Sequence, residues 1–185
     1  SGPLDPPATG LLVVFVGMAT RAVEFAEADR KEYIAGLRLG ISTDTQDITG
    51  RVINERADIP DETEVEKVLE LFKGELEQIP PMYSAVKIGG RKLYELARKG
   101  ESIERRPRTI TVFGLEIIGR SYDDYILNVV CSKGTYIRTL CHDIGEELGC
   151  GACMSSLRRT KAGVFSVEDA YTIGEVQEAA DRGEL

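Results

Sequence analysis

The order of strand-like and helix-like segments is the feature of this sequence that most constrains its fold. Two strand-like runs follow each other near 109–119 and 122–131 with no helix between them, which predicts a β-hairpin. The strict strand–helix alternation of a doubly wound parallel sheet is therefore broken. The order predicts an α+β fold, with a mixed, largely antiparallel sheet flanked by helices. Further strands are predicted at 11–17, 31–40, 51–54 and 158–167, and helices at 18–28, 62–77, 91–100, 134–149 and 172–182.

Two of the predicted helices carry clear apolar stripes. In helix 62–77, Thr63 and Glu66 have the spacing of a capping box. Its apolar stripe comprises Val65, Val68, Leu69, Phe72 and Leu76. The stripe of helix 134–149 comprises Ile137, Leu140, Cys141, Ile144 and Leu148. Both stripes are expected to pack against the sheet.

The charge distribution is uneven. The 185 residues suit one domain and carry a net charge of −8, which argues at first against a nucleic-acid partner. Residues 87–108, however, contain eight Lys or Arg against three Glu. Such a local excess is typical of a phosphate-binding face, and equally of a solvated helix face, so charge alone leaves both open. No run is long enough to span a membrane and no signal segment is seen, so a cytoplasmic location is expected.

The four cysteines and the single histidine fall within residues 131–153. The spacing of Cys150 and Cys153 is that of zinc ligands, so a metal site and a redox pair are alternatives to a structural role. Cys131, however, ends a strand-like run, and Cys141 lies on the apolar stripe of helix 134–149. No second closely spaced pair completes a ligand set, so buried core positions are favoured.

The first ten residues, SGPLDPPATG, place Asp5 in a stiff loop ahead of a continuous apolar run. The prolines fix φ and lack an N–H, so the loop cannot become a helix. Asp5 could cap a turn, or the loop could present its carboxylate as a functional group. Arg138 lies at the edge of the apolar stripe of helix 134–149, where it could reach solvent or pair with a carboxylate such as that of Asp5.

Several long motifs follow one another along nearly the whole chain: SGPLDPPATGLLVV, ATR at 19–21, KEY at 31–33, LGISTDTQDITG at 39–50, the segments 78–100 and 131–152, and LRRTKAGVF at 157–165. In this order they resemble the motifs of the TruB-type tRNA pseudouridine synthases of bacterial form. Two departures stand out: Pro3 takes the place of a usual threonine, and the histidine that usually precedes the Ser1 position is not in this chain. The N-terminus is therefore expected to be incomplete.

The resemblance implies an enzyme that isomerises uridine 55 in the tRNA T-loop to pseudouridine, without metal or organic cofactor. It implies that Asp5 is the catalytic carboxylate and that Arg138 pairs with it. Tyr33 would pack against the target base, with a part in proton abstraction from the sugar. Leu157 would line the uracil pocket.

The resemblance also implies how the RNA is held. Further substrate-binding positions would be Lys133, Tyr136 and Tyr83, together with Arg105, Arg106 and Arg108 in an RNA-gripping insertion at about 80–108. The catalytic domain would span 1–185 without the C-terminal RNA-binding domain of many members. The expected partner is the T-stem loop of tRNA, with no membrane, and the expected state is a monomer.

Two other functions remain alternatives at this point. One is the catalytic subunit of a guide-RNA-dependent pseudouridine synthase, against which the TDTQDITG loop and the intact insertion argue. The other is a module that binds or folds tRNA without chemistry. The presence of Asp5, Tyr33 and Arg138 together argues against that module. A protein that only binds tRNA does not need a carboxylate paired with an arginine away from water.

Overall fold

A mixed β-sheet forms the centre of the computed structural model, which describes Gly2, residues 4–23 and residues 30–184. Within these residues the sheet has seven strands: β1 Thr9–Gly10, β2 Arg30–Leu39, β5 Gly74–Gln78, β8 Arg108–Ser121, β9 Asp124–Ser132, β10 Ala152–Ala162 and β11 Phe165–Ser166. Their order is β1-β10-β2-β9-β8-β5, with β11 added to β10. Strand β1 pairs with β10 in parallel, and the other pairings are antiparallel. The predicted α+β class is confirmed.

One face of the sheet forms the core. Alternate residues of β2 and β9 are buried, as expected where a sheet is covered on one side. The helix α3, Ile137–Glu147, packs on this face against β10 and β2, and α1, Glu62–Leu71, packs against β8. The core joins strand residues such as Leu37 and Val129 to the buried stripe of α3, as the sequence predicted.

Smaller elements lie outside the seven-stranded sheet. Strands β3, Ile41–Thr43, and β4, Val52–Glu55, form a separate hairpin. The segment between β5 and β8 contains the hairpin of β6, Lys87–Ile88, and β7, Arg91–Lys92, followed by the short helix α2, Leu93–Ala97. The last helix, α4, Ile173–Asp181, begins with a capping box between Thr172 and Glu175. No helix of the described residues is long and apolar enough to cross a membrane.

The helix predicted over 62–77 is too long. Helix α1 ends at Leu71, and Gly74, with φ of +94°, turns the chain into strand β5. Glycine adopts such a φ without a steric penalty, so the turn is favoured over a continued helix. The N-cap is Asp61, whose side chain accepts a hydrogen bond from the Glu64 N–H at 3.0 Å, and not Thr63. Leu76 still packs on the core, but from a strand.

The buried strand predicted at 11–17 is not formed either. Leu11 is buried, but residues 11–16 lie outside any strand, and Leu12 and Val16 are 51% and 78% exposed. An apolar run shows that a segment can be buried, but not that a neighbouring strand is available to pair with it. The helix predicted at 18–28 begins as a 3₁₀ helix over Gly17–Ala22, and its part at 24–28 lies outside the described residues.

Candidate active site

The loop that carries Asp5 is closed at its base. The Ala8 N–H donates to the Asp5 carbonyl at 2.8 Å, so Pro6 and Pro7 occupy the centre of a tight turn. Immediately after the turn, β1 joins the sheet beside Arg158 and Arg159. Gly10 has φ of +98°, and a Cβ there would lie 2.2 Å from the Arg159 carbonyl oxygen. The chain can therefore approach β10 this closely only with glycine at position 10.

The Asp5 carboxylate meets the Arg138 guanidinium, as proposed from the sequence. Nη2 of Arg138 donates to Oδ1 of Asp5 at 3.0 Å. Nε lies 2.7 Å from Oδ2, an ionic contact that is not aligned as a hydrogen bond. The Arg138 side chain is 5% exposed and that of Asp5 is 31% exposed. The carboxylate is thus held from the protein side while remaining open to a ligand.

The Arg138 guanidinium has further partners that fix its orientation. Nη1 donates to the Thr45 carbonyl at 3.3 Å and lies 3.7 Å from Oδ2 of Asp47. Nη2 also donates to the Tyr83 carbonyl at 2.9 Å. Oδ1 of the buried Asp47 is itself held by the Thr49 N–H at 3.0 Å. These contacts leave Arg138 little freedom to turn away from Asp5.

Tyr33 supplies an aromatic ring next to this pair. It lies on β2, directly across from Arg159 on β10, and is almost fully buried. Burial raises the pKa of the Tyr33 hydroxyl, while contact with the Arg159 guanidinium acts in the opposite direction. The pKa remains above its ordinary value, so the side chain is a neutral phenol at neutral pH.

A cavity of about 620 Å³ brings together most of the residues singled out from the sequence. This volume suits a nucleoside or a molecule of similar size. The predicted site residues that line it are Asp5, Tyr33, Tyr83, Tyr136, Arg138 and Leu157.

The other predicted substrate-binding residues lie elsewhere. Lys133 is exposed on the loop before α3 and does not line the cavity. Arg105, Arg106 and Arg108 line a second cavity of about 380 Å³ beneath the basic insertion. Arg105 is half-buried and donates to the Pro80 carbonyl at 3.0 Å, whereas Arg106 and Arg108 are exposed. The three arginines therefore lie outside the cavity that contains Asp5.

Gln78 ties the insertion to the first turn of α3. Its side-chain Nε2 donates to the Tyr136 carbonyl at 3.0 Å, and its Oε1 accepts from the Tyr136 N–H at 2.8 Å. Gln78 is the last residue of β5 and is buried, and Tyr136 is the N-cap of α3. The helix end that carries Arg138 is therefore anchored to the start of the insertion.

Two buried charged residues that line the cavity, Asp47 and Arg159, are not among the site residues predicted from the sequence. Asp47 lies in a polar loop, and no spacing signal distinguishes it from Asp44. Arg159 could have been found, because Leu157 and Arg159 are two residues apart on a strand and so share a face. The resemblance implies that Leu157 lines the uracil pocket, and Leu157 and Arg159 line the same cavity.

The cysteines occupy core positions. All four are buried and free, and burial raises the pKa of each thiol, to about 11 for Cys131 and Cys153. Among the described residues, no group of three or more His, Cys, Asp or Glu side chains is arranged to hold a metal ion. The core roles predicted for Cys131 and Cys141 are confirmed.

Comparison with known proteins gives the family. A model described as "TruB family pseudouridylate synthase (N terminal domain)" matches residues 1–137. A second, "tRNA pseudouridylate synthase B C-terminal domain", matches residues 138–184. The chain therefore belongs to the TruB family of pseudouridylate synthases, which confirms the resemblance seen in the motifs.

Curated relatives and solved structures agree with this assignment. A protein named "tRNA pseudouridine synthase B" from Syntrophomonas wolfei is 51% identical in sequence over an alignment that covers 93% of this chain. A protein of the same name from Alkaliphilus oremlandii is 50% identical over 96% of this chain. The chain spans 59% of the length of each. A chain in "Crystal Structure of a Cbf5-Nop10-Gar1 Complex" superposes with a TM-score of 0.65 at 32% identity. That match covers 89% of this chain and 41% of the other.

Proposed function

We propose that this chain isomerises uridine 55 in the T-loop of tRNA to pseudouridine, with Asp5 as the catalytic carboxylate. The observation that carries the proposal is the Asp5–Arg138 pair, which opens onto a nucleoside-sized cavity beside Tyr33. The names of the curated relatives support the substrate. The proposed partner is thus a tRNA, and the cytoplasm and a monomeric state remain expectations.

The chemistry accounts for a fixed carboxylate. Isomerisation breaks the bond between N1 of uracil and C1′ of ribose and rejoins the ring through C5, with no net oxidation. Positive charge develops at the sugar as the bond breaks. Asp5 can act as the nucleophile at C1′ or as the stabiliser of that charge, and either role requires a preorganised carboxylate. Arg138 supplies that preorganisation through its contacts with both carboxylate oxygens.

The detached uracil has to stay in the site while it turns. Tyr33 and Leu157 give the cavity an aromatic and an aliphatic wall, against which a flat ring packs without being bonded in one orientation. Tyr33 is a neutral phenol at neutral pH, which suits this packing role. Uridine 55 lies within folded RNA, so it must first be flipped out, at a cost of roughly a few kcal/mol.

The basic insertion is proposed to grip the RNA. Arg106 and Arg108 lie exposed beside the second cavity, and phosphate contacts provide most of the affinity of such complexes. Arg138 donates to the Tyr83 carbonyl, so the gripping segment also contacts the catalytic pair.

The test is to incubate the chain with an unmodified tRNA transcript and to map pseudouridine by chemical labelling. We expect modification at position 55, none in a transcript with cytidine there, and none with Asp5→Asn. Asp123→Asn is the matched control, since that carboxylate is 85% exposed in the β8–β9 turn. RNA binding by Asp5→Asn should stay within a few-fold of the parent.

Two outcomes would favour the alternatives. The structural likeness to a chain from a Cbf5-Nop10-Gar1 complex makes the guide-dependent subunit the second candidate. Activity that appears only after a guide RNA and partner proteins are added would support it. Tight tRNA binding with no pseudouridine under either condition would indicate a module without chemistry.

A further inference from the structure

Arg159 is a fully buried arginine in the wall of the site cavity. Its side chain is 1% exposed, the lowest value among the charged residues of the core. Among the described residues, no carboxylate lies within 4.0 Å of its guanidinium. Burial of a guanidinium without a counter-ion is strongly unfavourable unless good hydrogen bonds replace its water. The positions of those hydrogen bonds therefore indicate what Arg159 does.

The acceptors are the two ends of the segment that carries Asp5. Nε donates to the Leu11 carbonyl at 2.8 Å, and both Nη atoms lie 3.2 Å from the Gly2 carbonyl and donate to it. The backbone of Arg159 holds the same segment, because its carbonyl accepts from the Leu11 N–H at 2.9 Å. One residue thus closes a loop of which Asp5 is a central member.

The same residue lies beside the second proposed site residue. Arg159 and Tyr33 are paired directly across β10 and β2. The Arg159 guanidinium lowers the pKa of the Tyr33 hydroxyl against the larger, opposite effect of burial, as a nearby cation does. Arg159, Tyr33 and Asp5 all line the same cavity.

We propose that Arg159 is a positioning residue that fixes the Asp5 loop relative to Tyr33. The inference rests on the proposed function for the roles of Asp5 and Tyr33, while the holding of the loop is a property of the free protein. A planar guanidinium suits this task because its N–H groups diverge at fixed angles and can reach separate acceptors at once. The charge serves to strengthen these hydrogen bonds, and not to balance a carboxylate.

The first measurement needs no RNA. Hydrogen exchange is followed at the Ala8 and Leu11 amides, which are bonded to the Asp5 and Arg159 carbonyls. Arg159→Met should raise exchange at both by at least about tenfold, while amides in β9 keep their protection. Arg158→Met is the matched control, because it removes the same charge from the adjacent, exposed position of β10 and should change neither amide. Should Arg159→Met not fold, Arg159→Lys serves for the same measurement.

The second measurement concerns the reaction. Single-turnover rates at saturating protein should fall at least about tenfold in Arg159→Lys. Lysine keeps the positive charge but lacks the planar guanidinium that bonds to several acceptors, and catalysis depends on the alignment of Asp5. The affinity for tRNA should stay within a few-fold, and the variant should remain folded at the assay temperature. In Arg159→Ala, millimolar guanidinium should recover part of the rate, whereas ammonium should not.

The outcomes separate this inference from the proposed function. Unchanged hydrogen exchange at Ala8 and Leu11 in Arg159→Met overturns the inference. Increased exchange together with a parent-like single-turnover rate in Arg159→Lys overturns it as well. If the parent chain makes no pseudouridine, the proposed function fails, and the exchange result alone decides whether Arg159 holds the loop.

Discussion

The guanidinium of Arg138 contacts both carboxylate oxygens of Asp5, although 133 residues separate the two in sequence. One contact is a hydrogen bond from Nη2 to Oδ1, and the other is the close approach of Nε to Oδ2. The same guanidinium donates to the Thr45 and Tyr83 carbonyls. The pair is therefore oriented by its surroundings as well as by its charges.

Arg138→Lys tests whether that orientation matters for catalysis. Lysine keeps the positive charge but presents it as a point on a flexible stem. If the planar fork aligns Asp5, single-turnover rates at saturating protein should fall by roughly tenfold or more, equivalent to about 1.4 kcal/mol in the barrier. A near-normal rate in a folded variant would show that long-range charge alone suffices.

Gly10→Ala should disturb the Asp5 loop from the other side. The new Cβ would meet the Arg159 carbonyl at 2.2 Å, and the φ of +98° would be strained as well. Gly183→Ala is the control for backbone strain, since its φ is +72° and nothing lies within 4 Å of the added Cβ. A positive φ is strained for alanine at both positions. We expect a further loss of activity and of Leu11 amide protection in Gly10→Ala only, and equal effects in the two variants would contradict the close approach.

Arg106→Ala combined with Arg108→Ala should weaken tRNA binding at every sequence. Each phosphate contact that is lost should flatten the dependence of log affinity on log salt by about one unit. Arg105 is kept, because its bond to the Pro80 carbonyl holds the insertion itself. Lys73→Ala with Arg182→Ala removes the same charge from outside the insertion and should leave the salt slope unchanged. An unchanged slope in the Arg106/Arg108 variant would place the RNA elsewhere.

The buried thiols should make the fold less stable in alkali. The pKa values of Cys131 and Cys153 are raised from about 9 to about 11. Between these values the unfolded chain loses thiol protons that the folded chain keeps, so the free energy of unfolding falls as pH rises. Urea unfolding at pH 8 and pH 10 measures the effect, and Cys153→Ala should reduce it. Stoichiometric zinc in the purified protein would contradict this assignment of the thiols.

The sequence predicts long periodic elements better than their ends. The stripe of α3 and the β8–β9 hairpin are seen as predicted, because each repeats one periodicity over ten or so residues. The helix predicted over 62–77 continues past Gly74 because Phe72 and Leu76 keep the spacing of its apolar stripe. In the structure the turn at Gly74 ends the helix in spite of that spacing. The strand predicted over 11–17 rests on a continuous apolar run with β-branched residues, and such a run carries no information about a pairing partner.

Only part of the candidate site could be predicted from the sequence. Asp5, Tyr33 and Arg138 were identified through motif resemblance, and the structure brings them to one cavity. Asp47 and Arg159 act through contacts across the fold, to Arg138 in one case and to Gly2 and Leu11 in the other. The contact of Asp47 with Arg138 depends on tertiary arrangement and leaves no local spacing to read, whereas Arg159 shares the strand face of Leu157 and could have been found from that spacing.

The partners of Arg138 lie 133, 93 and 55 residues away in the chain, at Asp5, Thr45 and Tyr83. Contacts of such separation form only after long loops have closed, which makes them slow steps in folding. The carboxylate and its guanidinium are therefore expected to meet late, after the β8–β9 hairpin has brought the middle of the chain into order. A partly folded chain would therefore contain the β8–β9 hairpin before it contains the Asp5–Arg138 pair that the proposed reaction needs.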